Sequence, residues 1–194
     1  MNLLIIPEDH TNDQYILKPL FQALLKQNAK RQGTVEIYPV RGGRTIAMRI
    51  ETIRQAVREY SWGIDHFILC MDRDGDLNRA AKIDHLCRQV GEEFGDRVSF
   101  LGGLAHEELE TWLLAGLPKE MLPDGVTWQD IRTEISVKER HFAPVAALAK
   151  AADGPGGGRQ RLGIEAARSI QAIRQKCRED FDELARRLEA KLVL

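Results

Sequence analysis

Short apolar runs alternate with amphipathic stretches over the first two-thirds of this chain, and that rhythm limits its fold more than any other feature. Residues 2–6 are almost wholly apolar, as a strand covered on both faces must be. Residues 34–40 alternate like a strand, residues 64–71 form the longest apolar run, and residues 97–101 form a fourth. Between them lie helical stretches over about 13–30, 45–60, 78–94 and 106–115. The first places Ile16, Leu17, Leu20, Phe21, Leu24 and Leu25 on one face, with Thr11 or Asn12 to cap it and Pro19 to kink it or delay its start. Gly42-Gly43 and Gly102-Gly103 read as breaks after strands. Regular strand–helix alternation predicts an α/β, Rossmann-like, mainly parallel sheet of about four strands with helices on both faces.

After Gly116 the rhythm changes. Two prolines and a glycine over residues 117–125 make a connector, and helical patterns follow over 128–135, 138–152 and 162–192, the last broken near 177–180. Residues 1–117 therefore read as the α/β core and residues 118–194 as a helical extension packed on it. With 28 Lys+Arg against 29 Asp+Glu the formal charge is −1, which excludes a globally basic nucleic-acid coat but leaves room for a local basic face. The opening apolar run meets Pro7-Glu8-Asp9 too soon for a signal peptide or a membrane span. Cys70, Cys87 and Cys177 form no C-x-x-C pair and read as reduced thiols, so a cytoplasmic protein without a membrane anchor is expected. The five histidines share no zinc spacing.

The main chemical signal is Asp72-Arg73-Asp74-Gly75-Asp76 at the end of the most apolar strand. Ligands of open α/β sheets bind outside the carboxyl ends of the strands. Three carboxylates within five residues repel one another, and hard oxygen ligands of this kind suit Mg²⁺ or Mn²⁺. The plain alternative is a solvated turn in which Asp76 or Asn78 caps the next helix. An EF-hand is excluded, because its glycine and glutamate positions hold Leu77 and Ile83. A haloacid-dehalogenase-type phosphatase also carries Asp-x-Asp-Gly after a strand, but it has Thr or Ser where Asp76 stands. The first strand also ends in acid, with Glu8-Asp9 and then Asp13, and a third cluster, Glu107, Glu108 and Glu110, follows the fourth strand. If the first and third strands are neighbours, Glu8 meets Asp72 and Asp74 at one edge. One glutamate of the third cluster would then complete the group.

In order and spacing, these motifs resemble the TOPRIM (topoisomerase–primase) family, and more narrowly the small bacterial TOPRIM-like proteins related to OLD-type nucleases and linked to phage defence. The resemblance is carried by Glu8-Asp9, by Asp72 through Asp76, by Glu110-Thr111-Trp112-Leu113-Leu114-Ala115 and by Gly156-Gly157-Gly158-Arg159-Gln160-Arg161-Leu162. It departs from the family where Glu-Gly is replaced by Glu8-Asp9. It implies Mg²⁺- or Mn²⁺-dependent phosphodiester hydrolysis. Glu8, Asp72 and Asp74 would be catalytic, and Glu8, Asp72, Asp74, Asp76 and Glu110 the metal-binding set. The implied substrate is nucleic acid, DNA ahead of RNA, with a protein partner such as a defence ATPase. Two glycine–arginine segments, with Arg41 and Arg44 in one and Arg159 and Arg161 in the other, are the expected phosphate-holding groups. The last helical stretch offers a homodimer face. A second reading keeps the fold as a binding or regulatory module without catalysis, since 194 residues leave no dedicated DNA-grasping domain.

Overall fold

The structure, a computed structural model, describes residues 2–28 and 33–192. Residues 29 and 30 of the first predicted helix and residues 193 and 194 of the extension lie outside that set. Four strands, β1 (Asn2–Pro7), β2 (Thr34–Ile37), β3 (His66–Asp72) and β4 (Ser99–Ala105), form one sheet in the order β2-β1-β3-β4, and every pairing is parallel. The α/β class and four-stranded parallel sheet expected from the alternation are therefore present.

Side chains alternate across the two central strands and feed two cores. Leu4 and Ile6 of β1 with Phe67, Leu69 and Met71 of β3 point to one face. There they meet α3 (Ile50–Tyr60) and α4 (Arg79–Phe94) through Ile53, Val57, Ile83 and Val90. Leu3, Ile5, Ile68 and Cys70 point to the other face. They share this core with α1 (Gln14–Asn28), α5 (Leu109–Gly116), α6 (Trp128–Thr133), α7 (Ala143–Leu148) and the C-terminal helices α8 (Arg159–Ala167), α9 (Ile170–Lys176) and α10 (Glu183–Leu192). The helical extension thus shares one continuous core with the sheet. Phe181 lies 5.1 Å from Trp112 of α5 and 5.9 Å from Phe21 of α1, ring centre to ring centre. All three rings are fully buried, and each contributes about 2–3 kcal/mol by leaving water.

Two local expectations change. The stretch over 45–60 is two helices, α2 (Gly43–Ala47) and α3. Gly102 and Gly103 do not end the fourth strand, because they lie inside β4. A Cβ at Gly102 would collide with Ile83 of α4, and one at Gly103 would come within 2.6 Å of Leu184 of α10. The glycines let a helix approach each face of this edge strand. Pro19 neither breaks nor delays α1. The carbonyl its missing N–H leaves free is that of Tyr15, and Gly163 of α8 lies against it, too close for any side chain. Among the described residues no helix is long and apolar enough to cross a membrane.

Candidate active site

Parallel pairing of β1 with β3, in a register that sets Pro7 beside Cys70, brings Glu8 and Asp72 to the same carboxyl edge of the sheet. Beyond Asp72 the chain is held to the next strand, since the Arg73 N–H donates to the carbonyls of Ala105 at 3.1 Å and Glu107 at 2.7 Å. Asp74 then takes a left-handed conformation (φ 46°), an uncommon one for a residue with a Cβ. Arg79, 4% exposed, fixes this loop from inside α4. Its Nη1 donates to the Asp72 carbonyl at 2.5 Å and to the Asp74 carboxylate at 3.1 Å. Arg44 of α2 closes on the same Asp74 oxygen at 2.5 Å.

Around this loop gather carboxylates that act on one another. Asp72 is pushed well above the usual carboxylate range, first by burial and then by Glu110, Asp13 and Asp74. Only one of the donors named here, the Leu109 N–H at 2.8 Å, offsets that pressure. Burial also raises Glu8, with Asp74 next in effect. The Glu8 Oε2 atom is buried and has no hydrogen-bond partner among the described residues. Burial pushes Asp13 up to about 7, aided by Glu110, although the Asp9 N–H donates to it at 2.8 Å. Glu108 rises to about 7 through burial and then Glu110, Glu139 and Asp74, while accepting from the Lys138 N–H at 2.6 Å.

The three glutamates after β4 divide their work. Glu107 turns to the loop itself, pairing with Arg73 and accepting from the Gly75 N–H at 2.7 Å. Glu108 faces the helical extension. Glu110 is buried beside Asp72 and pairs with Arg159 through Nε at 2.8 Å and through Nη2. Arg159 is itself 7% exposed, bonded to the Gly156 carbonyl at 2.7 Å and stacked on Phe142 at 4.9 Å. It neutralises Glu110 in the interior, whereas Arg161 is exposed and donates to the Ala149 carbonyl at 2.8 Å. Arg41 is exposed at the end of the β2–α2 connection.

Asp76 stands apart from this group. One oxygen accepts from the Asn78 N–H at 2.9 Å, and the other pairs with Lys82 at 2.8 Å. The Lys82 hydrogen bond holds its pKa below the usual value. Of the solvated turn in which Asp76 or Asn78 caps the next helix, the structure has the turn closed by Asp76 on the Asn78 N–H, while Asn78 makes no capping hydrogen bond to α4.

The donor set that converges is Glu8, Asp13, Asp72, Asp74 and Glu110. It is made only of hard oxygens, contains an orphaned carboxylate oxygen and carries repulsion that a cation would relieve, so its chemistry fits a divalent ion. Among the described residues no three His, Cys, Asp or Glu side chains already form a ready ligand group. Arg44, Arg79 and Arg159 hold Asp74 and Glu110 toward themselves instead. The sequence places Asp13 among the acids after the first strand but gives it no ligand role, because an acid at a helix start is ordinarily solvated. Comparisons with family models, with characterised proteins and with solved structures return no match.

Proposed function

We propose that this edge of the sheet is the active site of a divalent-metal-dependent nuclease hydrolysing phosphodiesters of nucleic acid. The single observation that supports it most is the convergence of Glu8, Asp72, Asp74 and Glu110, from three separate strand exits, with burial and mutual repulsion raising Asp72 and Glu8. Glu8, Asp72 and Asp74 would hold Mg²⁺ or Mn²⁺, with Asp13 and Glu110 behind them. Such an ion supplies charge neutralisation at the non-bridging phosphate oxygens and lowers the pKa of water. Glu8 accepts a proton at its unbonded Oε2, the role its raised pKa suits. Arg41 and Arg44 meet the phosphate from the rim, and Arg159 fixes Glu110 from below. DNA is the preferred substrate.

The test is cleavage of single- and double-stranded DNA and RNA with Mg²⁺, Mn²⁺, Ca²⁺ or EDTA. Activity with Mg²⁺ or Mn²⁺ is expected, weak activity with Ca²⁺, and none with EDTA or in Asp74→Asn. Cleavage that persists in EDTA overturns the reading. A second reading has its own support. Arg44 and Arg79 on Asp74, and Arg159 on Glu110, place internal cations where a metal would act. A regulatory module that keeps the fold without turnover matches that pairing, and silence with every substrate and candidate partner would favour it.

A further inference from the structure

On the other side of the Arg73–Asp76 loop, between α4, the end of β4 and the 178–187 segment, lies a cleft of about 360 Å³. Its apolar wall is Leu77, Ile83 and Leu104, of which Leu77 is 82% exposed. Three nitrogens that line it share an unusual condition. The Arg73 Nε, Arg187 Nε and His106 Nδ1 atoms are each buried without a hydrogen-bond partner among the described residues. A buried polar atom left unbonded is costly, so three lining one cavity are a demand for a ligand that supplies oxygens.

The two guanidinium groups are held so that these atoms stay in place. Arg73 pairs through Nη2 with Glu107, and Arg187 donates through Nη2 to the Gly102 carbonyl at 2.5 Å. The nearest carboxylate oxygens do not satisfy the orphans: Glu183 stands 3.9 Å from the Arg187 Nε, and Glu107 3.9 Å from the His106 Nδ1. Of the other acids lining the cleft, Asp180 and Glu179 are occupied by Arg132 and Asp76 by Lys82, while Asp84 of α4 is exposed to solvent. Two fixed guanidinium groups call for an anion with several acceptor oxygens, and a phosphate meets that description. The apolar wall calls for a flat, poorly hydrated group attached to it, and the volume is of the size that small ligands occupy.

We propose that this cleft binds one nucleoside monophosphate unit, its phosphate on Arg73, Arg187 and His106 and its base against Leu77 and Leu104. That the anion is a nucleotide rests on the phosphodiester reading above; that the site takes a phosphate does not. The unit is either a free mononucleotide or one residue of a strand leading away from the acidic crevice.

Calorimetry on the full chain in EDTA separates these sources, with a 5′-deoxynucleoside monophosphate mixture, a short single-stranded oligonucleotide and inorganic phosphate as probes. Binding of the mononucleotides with a Kd below about 1 mM assigns the free source, and binding of the oligonucleotide alone assigns the strand. Arg187→Gln should weaken binding at least about tenfold, the loss of one charge-assisted contact. Ala80→Phe, at an exposed lining position of α4, should do the same by filling the cleft while leaving thermal unfolding unchanged. Inorganic phosphate as tight as the nucleotide overturns the base wall. Absence of binding by every probe, or affinity unaltered in both variants, overturns the site. Because this binding is measured without metal, nuclease silence with Mg²⁺ and Mn²⁺ while binding is retained breaks the active-site reading and leaves this one standing.

Discussion

Two carboxylates, buried Asp180 and half-buried Asp72, lie at the same end of the molecule and have opposite surroundings. Asp180 accepts from the His106 N–H at 3.1 Å, the Trp112 indole at 2.8 Å, and Arg132 through both Nη1 at 3.0 Å and Nη2 at 3.1 Å. Asp72 accepts from the Leu109 N–H and otherwise faces Glu110, Asp13 and Asp74. The first is a finished structural joint, binding the helical extension to the β4–α5 turn. The second stores repulsion that nothing in the fold requires. A charge satisfied four times over is built for stability, while one set among like charges is built for something that arrives.

The largest effect that could break this contrast is the loss of the joint. Asp180→Ala takes the acceptor from the Trp112 indole and the His106 N–H and leaves Arg132 only Glu179 and the His106 carbonyl, so destabilisation of about 3–5 kcal/mol is expected in urea unfolding. A loss below about 1 kcal/mol, the scale of an exposed pair, would mean the joint is ordinary surface pairing.

The acidic crevice should behave in the reverse sense with pH. Asp13 and Glu108 titrate near 7 in the fold and near 4 when unfolded, so the folded chain holds more protons between those values. Stability of the metal-free protein should therefore fall as pH rises from about 4 to about 7 and level off above. After discounting for solvent access, the combined contribution is about 2 kcal/mol. Asp13→Asn with Glu108→Gln should remove that part of the slope in EDTA, and an unchanged slope would place the repulsion elsewhere.

Much of this contrast was legible in the sequence, and what was missing shares one cause. Strand and helix periods are local, so the parallel sheet and acids at three strand exits could be read directly. Partners distant along the chain could not. Arg159 looked like a phosphate-binding residue because glycines precede it, yet its partner is Glu110, 49 residues away. Arg132 and Asp180, 48 apart, carried no mark of their pairing. Gly102 and Gly103 looked like a strand end because glycine usually punctuates, whereas Ile83 and Leu184 demand their lack of a side chain. Asp76 belonged by spacing to the run before it and by hydrogen bonding to the helix after it.

A smaller effect sharpens the contrast on one side chain. Asp72→Asn keeps an oxygen for the Leu109 N–H and removes a charge from a group of like charges. Stability at pH 7 should rise by about 1 kcal/mol in urea unfolding, the usual scale of a single substitution that improves local charge balance. A fall of that size would show that the Asp72 charge is structural, like that of Asp180.

The smallest expected effect is the most discriminating, because it asks whether the stored repulsion has a natural counter-ion. A ligand that binds only the folded chain stabilises it by mass action, so Mg²⁺ at about three times its Kd adds about 0.8 kcal/mol. For a chain of this length that raises the Tm by about 2–3 °C. At a fixed Mg²⁺ concentration the gain is limited through Kd, because the cation must draw Asp74 from Arg44, which holds it at 2.5 Å with nearly half its own side chain exposed. Arg44→Met should therefore enlarge the Mg²⁺ shift, while Asp72→Asn should erase it. Asp180→Asn, altering an acid already satisfied, should lower the Tm but leave the shift intact. A Mg²⁺ shift that survives in Asp72→Asn would move the ion away from the crevice, and the repulsion there would be answered by the arginines alone.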